Sequence, residues 1–326
     1  MSKLNNLNAK PWYNSALIGN QLDKQKPTLP APRKNSNGDV WDKVGIQELL
    51  NGSHKKLYTG KSEFQDIFVV EATDIRMYLN EQLQFSSLDE RIYHQALVHP
   101  AFHLSPSKKS VLILGGGDGL ALREVFHYDE VEKVVLVDID PKVIQTSKTV
   151  PAIVELNEGS LLDKRVTVTV QDAWEFVFSG TSTFDIIIVD FPDPAEEILA
   201  RLYAVEMFRK LYSRLSDNGV IVCQSNSPSD APSVYWSIGR TMKHAGFHTL
   251  GYHTIVPSFG DWGFHIGRKS VIKAEDDFQT PFNRSVPSFQ KMCEFPKSIL
   301  SLSKNAELNS VKNLVLHELY ADEMEF

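Results

Sequence analysis

The sequence predicts an α/β protein: a mostly parallel, Rossmann-like sheet of seven strands with a small N-terminal antiparallel β domain. Three observations predict it. An apolar run, residues 111–114, enters a glycine turn, Gly115-Gly116-Gly117-Asp118-Gly119. The next apolar run, residues 133–138, closes on an acid, Asp138. From residue 110 onward strand-like and helix-like stretches alternate, and continuous apolar runs such as 186–189 mark strands buried on both faces.

The elements follow in order. Residues 1–40 are rich in Asn, Lys and Pro without apolar period, so they read as a flexible arm. Residues 41–104 form the small β domain, with β runs at 65–70 and 75–80 and a turn at 80–82. Residues 88–102 carry helix spacing at Ile92, Ala96 and Leu97, which Pro100 is expected to interrupt. Residues 105–270 form the Rossmann-like domain. Its strands are expected at 111–115, 133–138, 166–170, 184–190 and 219–224, with runs 249–256 and 262–268 completing the sheet. Its helices are expected at 119–128, 141–150, 173–178, 202–215 and 232–246. Residues 271–326 are a C-terminal extension with one helix near 310–320.

Composition narrows the function class. A net charge of −7 argues against general nucleic-acid binding and suits a cationic ligand. Two cysteines, Cys223 and Cys293, make no disulfide framework and point to a reducing compartment. No apolar run approaches the roughly 18 residues that span a bilayer, and the N-terminus lacks an apolar signal region. The expected location is the cytoplasm.

The motifs narrow it further. The dinucleotide fingerprint G-x-G-x-x-G needs a third glycine at 120, which is Leu120; glycines at 115, 117 and 119 instead match the turn of S-adenosylmethionine-type folds. A simple tight connection is the alternative. Asp138, just past its strand, can accept both hydroxyls of a ribose, or cap the turn before Pro141. Asp172 can face an adenine amino group, cap the following helix, or do both. Asp190-Phe191-Pro192-Asp193-Pro194 follows the fourth strand at the edge where ligands bind. Its two carboxylates can bind a cationic amine and take its proton, or be ordinary loop acids. Tyr93-His94 precedes the sheet and can form a wall or lid; Gln65 carries no signal of its own. No Cys/His cluster suggests a metal, and no Ser–His–Asp order stands out.

Together these stretches resemble the spermidine synthase (polyamine aminopropyltransferase) family over about residues 55–270. The matching segments are 62–67, 83–94, 115–119, 137–141 and 184–194, in the family's order. Residues 256–264 and Phe295-Pro296-Lys297 resemble more narrowly the soluble domain of bacterial homologues that carry membrane helices ahead of it. The resemblance implies a methyltransferase-like sheet behind a small β domain. It implies transfer of an aminopropyl group from decarboxylated S-adenosylmethionine, as co-substrate, to putrescine or a related amine. No permanently bound cofactor or metal is implied, and the assembly would be a homodimer or homotetramer. Gln65, His94, Gly115, Gly117, Asp118, Asp138, Asp172 and Ala173 would hold the donor. Asp190 would be the general base, and Tyr93, Asp193 and Gln224 would bind the amine.

The chain departs from the family pattern at Gln95, where Glu is usual, at Phe191-Pro192, in the loop after Pro194, and at Phe259, where Tyr is usual. These departures fall on the acceptor side. Two other readings stand beside the first: an amine N-methyltransferase using intact S-adenosylmethionine, and a non-catalytic ligand-sensing or scaffold protein.

Overall fold

A computed structural model describes residues 40–272 and 286–324. Of the arm expected over residues 1–40, only residue 40 lies within the described residues. It opens a helix that the sequence reading did not anticipate, α1 (Val40–Asn51).

Four strands follow: β1 (Lys55–Lys61), β2 (Asp66–Glu71), β3 (Ile75–Leu79) and β4 (Gln82–Ser86), antiparallel in the order 1-2-3-4. Asn80 and Glu81, both at positive φ, make the two-residue β3–β4 turn, the geometry that fits a twisted hairpin. Side chains alternate across this sheet. Val70 and Tyr78 face α1 through Leu49. Ile67, Val69, Met77 and Phe85 face Leu120, Val143, Val150 and Ile153 of the larger sheet domain.

Next comes α2 (Glu90–Leu104), which runs straight through Pro100. The expected interruption is therefore corrected. Proline has no N–H for the Ala96 carbonyl four residues back. The Tyr252 hydroxyl donates to that carbonyl instead, at 2.9 Å, so the buried acceptor is not orphaned.

The larger sheet is built from β5 (Ser110–Gly115), α3 (Leu120–Val125), β6 (Lys133–Asp138), α4 (Pro141–Thr149), α5 (Pro151–Leu156), β7 (Val166–Val170), α6 (Ala173–Ser179) and β8 (Phe184–Asp190). It continues with α7 (Glu197–Leu202), α8 (Val205–Arg214), β9 (Leu215–Gln224), α9 (Pro232–His244), β10 (His248–Val256) and β11 (Gly260–Arg268). The order is β10-β11-β9-β8-β5-β6-β7. β5 to β9 run parallel, and β11 enters antiparallel beside β9. Both faces are covered, which explains the continuous apolar runs. Leu112, Leu114, Val137, Ile187 and Val189 feed one core, while Val111, Ile113, Leu136, Ile186 and Ile188 feed the other.

The expected helix 202–215 is split at Tyr203-Ala204 between α7 and α8. After α10 (Phe289–Met292) and α11 (Lys297–Leu302), the final helix is α12 (Leu316–Met324), later than residues 310–320. It packs on α9 and α7, and the Glu323 carboxylate accepts the Ser233 amide at the start of α9 at 3.0 Å.

This topology places the site. Strand order reverses between β5 and β8, where the ends of both strands open into one crevice.

Candidate active site

The glycine turn is shaped by contacts too close for a Cβ unless a neighbour moves. At Gly115 (φ +84°), a Cβ would sit 2.1 Å from the Asp190 carbonyl oxygen. Only glycine lets the ends of β5 and β8 meet. At Gly117 a Cβ would sit 2.5 Å from Asp138 Oδ2; with none there, the Gly117 amide donates to that oxygen at 3.0 Å. Asp118 Oδ1 accepts the Leu120 amide at 2.8 Å, which leads the turn into α3.

Asp138 also accepts the Asp140 amide on Oδ1 at 2.9 Å. Burial pushes its carboxyl up to about 6. Capping of α4 falls to Asp140, whose Oδ1 accepts from the Lys142 amide at 2.8 Å and the Val143 amide at 3.4 Å. Asp140 Oδ2 accepts from Ser62 Oγ at 2.7 Å and Gln65 Nε2 at 2.8 Å. Gln65 thus reaches this edge of the crevice through Asp140. The sequence reading missed Asp140, although an Asp directly before a proline at the first helical position is a strong start signal. Asp172 caps α6, accepting the Trp174 amide at 2.6 Å and the Glu175 amide at 3.2 Å. Asp138 pairs in register with Val170, so Asp172 starts just past the level of Asp138, with Ala173 buried behind it.

Asp190 ends β8 on the other side of the turn. Its Oδ1 accepts the Tyr93 hydroxyl at 2.6 Å; among the described residues no donor reaches Oδ2. Burial pushes its carboxyl up to about 6, with the His94 charge pulling against that and Asp118 adding to it. His94 Nδ1 donates to the Glu90 carbonyl at 2.7 Å and to Glu90 Oε2 at 3.0 Å. Burial pulls the His94 pKa down, but the Glu90 carboxylate overrides it and the net direction is up. Arg123 clasps Glu90 with two bonds of 2.8 and 2.9 Å. Glu90 was legible in principle, four residues before His94 on one helix face. Tyr93 sits in an aromatic wall, 5.9 Å from Phe259 and 6.3 Å from Trp262 between ring centres.

Gln224 lies beneath the Asp190–Asp193 loop. It is 2% exposed. Its Nε2 lies 2.6 Å from the Phe191 carbonyl, 2.6 Å from the Tyr203 hydroxyl and 3.4 Å from Asp193 Oδ1. Its Oε1 accepts the Asn226 amide at 3.1 Å. Tyr203, a second residue the sequence reading missed, lies 3.1 and 3.0 Å from the carbonyls of Phe191 and Pro192. This is the geometry of a clamp on the loop that carries Asp193.

The expected residues therefore fall in two groups on either side of β5. Asp138, Asp172 and, through Asp140, Gln65 lie toward β6 and β7. Tyr93, Asp190, Asp193 and Gln224 lie toward β8 and β9, while His94 is close enough to feel the charges of both Asp118 and Asp190. Gly115, Gly117 and Asp118 stand between them. Among the described residues, no group of three or more His, Cys, Asp or Glu is placed to hold a metal. No helix among them is long and apolar enough to cross a membrane.

A crevice with a glycine turn, an acid after the second strand and a pair of carboxylates after the fourth defines a methyltransferase-like enzyme of the transferase class. The spermine/spermidine synthase domain matches residues 90–277. Polyamine aminopropyltransferase 2 of Bacillus anthracis is 47% identical over 94% of this chain and 86% of its own length. Polyamine aminopropyltransferase 2 of Bacillus cereus is 48% identical over 90% of this chain and 82% of its own. Among solved structures, spermidine synthase from Thermotoga maritima superposes with a TM-score of 0.69 at 26% identity, covering 77% of this chain and 88% of its own. The chain belongs to the spermine/spermidine synthase family.

Proposed function

We propose that the protein is a polyamine aminopropyltransferase. It moves the aminopropyl group of decarboxylated S-adenosylmethionine to putrescine or a related amine and releases methylthioadenosine. Family membership supports the reaction class. The observation that carries the mechanism is the Tyr93–Asp190 pair at the glycine turn, 2.6 Å apart.

In this reading the Gly115–Gly117 turn and Asp118 face the donor, Asp138 takes the ribose diol and the Asp172-Ala173 step faces the adenine. His94 and Gln65 close the donor side, Gln65 acting through Asp140. The amine enters as an ammonium, which has no lone pair to attack with. Asp190 accepts its proton, and Asp193 neutralises positive charge beside it. The freed nitrogen attacks the methylene next to the sulfonium. The C–N bond forms as the C–S bond breaks, and the C–S electron pair returns to sulfur. The leaving thioether is neutral, so it needs no acid. Positive charge moves from sulfur to nitrogen, toward the carboxylates, and preset carboxylates stabilise that movement without reorganising. Tyr93 orients Asp190, and Gln224 holds the loop of Asp193, which places the acceptor for in-line attack.

The same reading takes residues 41–104 as the small β domain, 105–270 as the transferase domain and 271–326 as an extension. It places a homodimer or homotetramer in the cytoplasm, which size-exclusion with light scattering and cell fractionation test. The reaction is tested by crossing decarboxylated and intact donor with putrescine, cadaverine, agmatine and spermidine, and weighing the products by mass spectrometry. Aminopropylated amine with methylthioadenosine is the expected result. Methylated amine, or no product from any pair, sinks the reading.

A further inference from the structure

We propose that Asp89 is a positioning residue for the acceptor amine: its carboxylate latches the turn of the β10–β11 hairpin and so sets the aromatic wall against Tyr93. This rests on the aminopropyl-transfer reading above.

Asp89 stands at the N-cap of α2, where aspartate ordinarily bonds its own helix, yet its side chain makes no such cap. Instead Oδ2 accepts the Ser258 amide at 2.6 Å and Oδ1 accepts the Ser258 hydroxyl at 2.8 Å. Asp89 is 4% exposed. A carboxylate buried this deeply is costly unless hydrogen-bonded, so both bonds hold the hairpin to the helix rather than decorate a surface. The latch gives up a local helix cap for a contact 169 positions away.

The residue after Ser258 is Phe259, whose ring lies 5.9 Å from Tyr93 and 5.2 Å from Trp262. Its amide closes the hairpin turn on the Val256 carbonyl at 2.8 Å. Tyr93 in turn lies one helical turn after Asp89. Asp89, Ser258, Phe259 and Tyr93 thus close a ring, and Tyr93 carries Asp190 from it. The latch acts on the acceptor and not on the nucleoside because of strand order. β10 and β11 lie at the opposite end of the sheet from β6 and β7, which carry Asp138 and lead to Asp172.

The experiment compares Asp89→Ala, Asp89→Asn and Ser258→Ala with the wild type in the full chain. Asn keeps the shape: its oxygen can accept the Ser258 amide, and its NH₂ can donate to the hydroxyl. The readouts are kcat and KM for the best amine, methylthioadenosine affinity by calorimetry, and hydrogen exchange of peptides over 256–264. Asp89→Ala should raise the amine KM about tenfold, the scale on which small misplacements act, and raise exchange in that hairpin alone. Methylthioadenosine affinity should stay within about twofold. Asp89→Asn should restore the wild-type amine KM. Ser258→Ala, which loses only the hydroxyl bond, should move the amine KM the same way by less, and it serves if Asp89→Ala does not fold. An unchanged amine KM in the folded variants overturns the latch. So does a parallel loss of methylthioadenosine affinity, or faster exchange across the whole chain, because either marks a merely structural role. A wild type inactive with every amine would instead sink the function reading, while hairpin exchange still reports whether Asp89 holds the turn.

Discussion

Tyr93 donates its hydroxyl to Asp190 Oδ1 at 2.6 Å, joining the helix before the large sheet to the end of its fourth strand. The bond leaves Oδ2 for a substrate and fixes the carboxylate's orientation. We predict that Asp190→Asn lowers kcat at pH 7 by about 100-fold or more, the range of a lost general base. Tyr93→Phe keeps the ring in its aromatic wall and removes only the orienting bond, so it should cost less, about tenfold in kcat/KM. Methylthioadenosine affinity should hold in both. Steady-state kinetics with the best amine check this, and near-wild-type turnover of Asp190→Asn would pass the role to Asp193.

The raised pKa of Asp190 has a second consequence. Its carboxyl is pushed up to about 6 by burial, and only the ionised form takes a proton from an ammonium. Activity should therefore rise with pH through about 6, and this limb should vanish in Asp190→Asn. The stability effect runs the other way. A carboxyl raised in the folded state stabilises below its unfolded value of about 3.9 and loses that contribution as pH rises through about 6. Asp190→Asn should be more stable than the wild type at pH 7, by on the order of 1 kcal/mol, and the gap should close toward pH 4. Calorimetric melts at the two pH values decide it; a gap independent of pH refutes the burial cost.

Much of the larger sheet was legible because strands buried on both faces write continuous apolar runs. Residues 111–114 and 186–189 leave little else to be. The glycine turn was legible because the Asp190 backbone excludes a side chain at Gly115, and a side chain at Gly117 would displace the Asp138 carboxylate. What stayed hidden depends on partners far along the chain. Pro100 was expected to break α2, and nothing near it shows that Tyr252, 152 positions later, satisfies the Ala96 carbonyl. Gln65 carried no local signal because its partner, Asp140, lies 75 positions away. Gln224 was named by resemblance alone. That its amide holds Phe191 and Tyr203 depends on how β9 stands beside β8, which local periodicity does not encode.

Asp138 accepts two backbone amides, from Gly117 and Asp140, and both belong to turns that shape the side proposed to take the nucleoside. Asp138→Ala should weaken methylthioadenosine binding by about 1.5–3 kcal/mol, the scale of hydrogen bonds to a charged group. Gly117→Ala places a methyl carbon 2.5 Å from Asp138 Oδ2 and so pushes that carboxylate aside; it should weaken binding to a similar degree with Asp138 still present. Calorimetry with methylthioadenosine measures both. If Asp138→Ala binds the nucleoside as the wild type does, the carboxylate serves only the two turns.

We predict that the choice of donor rests on Asp118, at the tip of the glycine turn between the two halves of the site. Its Oδ1 accepts the Leu120 amide at 2.8 Å, which holds the carboxylate at the mouth of α3, and the charges of both Asp138 and Asp190 feel it. A third carboxylate there meets the tail of the donor differently in its two forms. The decarboxylated tail ends in an ammonium and gains attraction. The intact tail adds a carboxylate of its own and meets repulsion. A like-charge contact in a partly buried site costs a few kcal/mol, so decarboxylated S-adenosylmethionine should bind up to about 100-fold more tightly than the intact form. Asp118→Asn removes the repelling charge and keeps the bond to Leu120, so it should narrow that ratio about tenfold, by weakening the decarboxylated donor and strengthening the intact one. Methylthioadenosine, which has no charged tail, should bind the variant and the wild type alike, separating a charge effect from damage to the turn. Calorimetric titration of the three ligands into both proteins settles it. Equal affinities for the two donors in the wild type would favour methyl transfer over aminopropyl transfer.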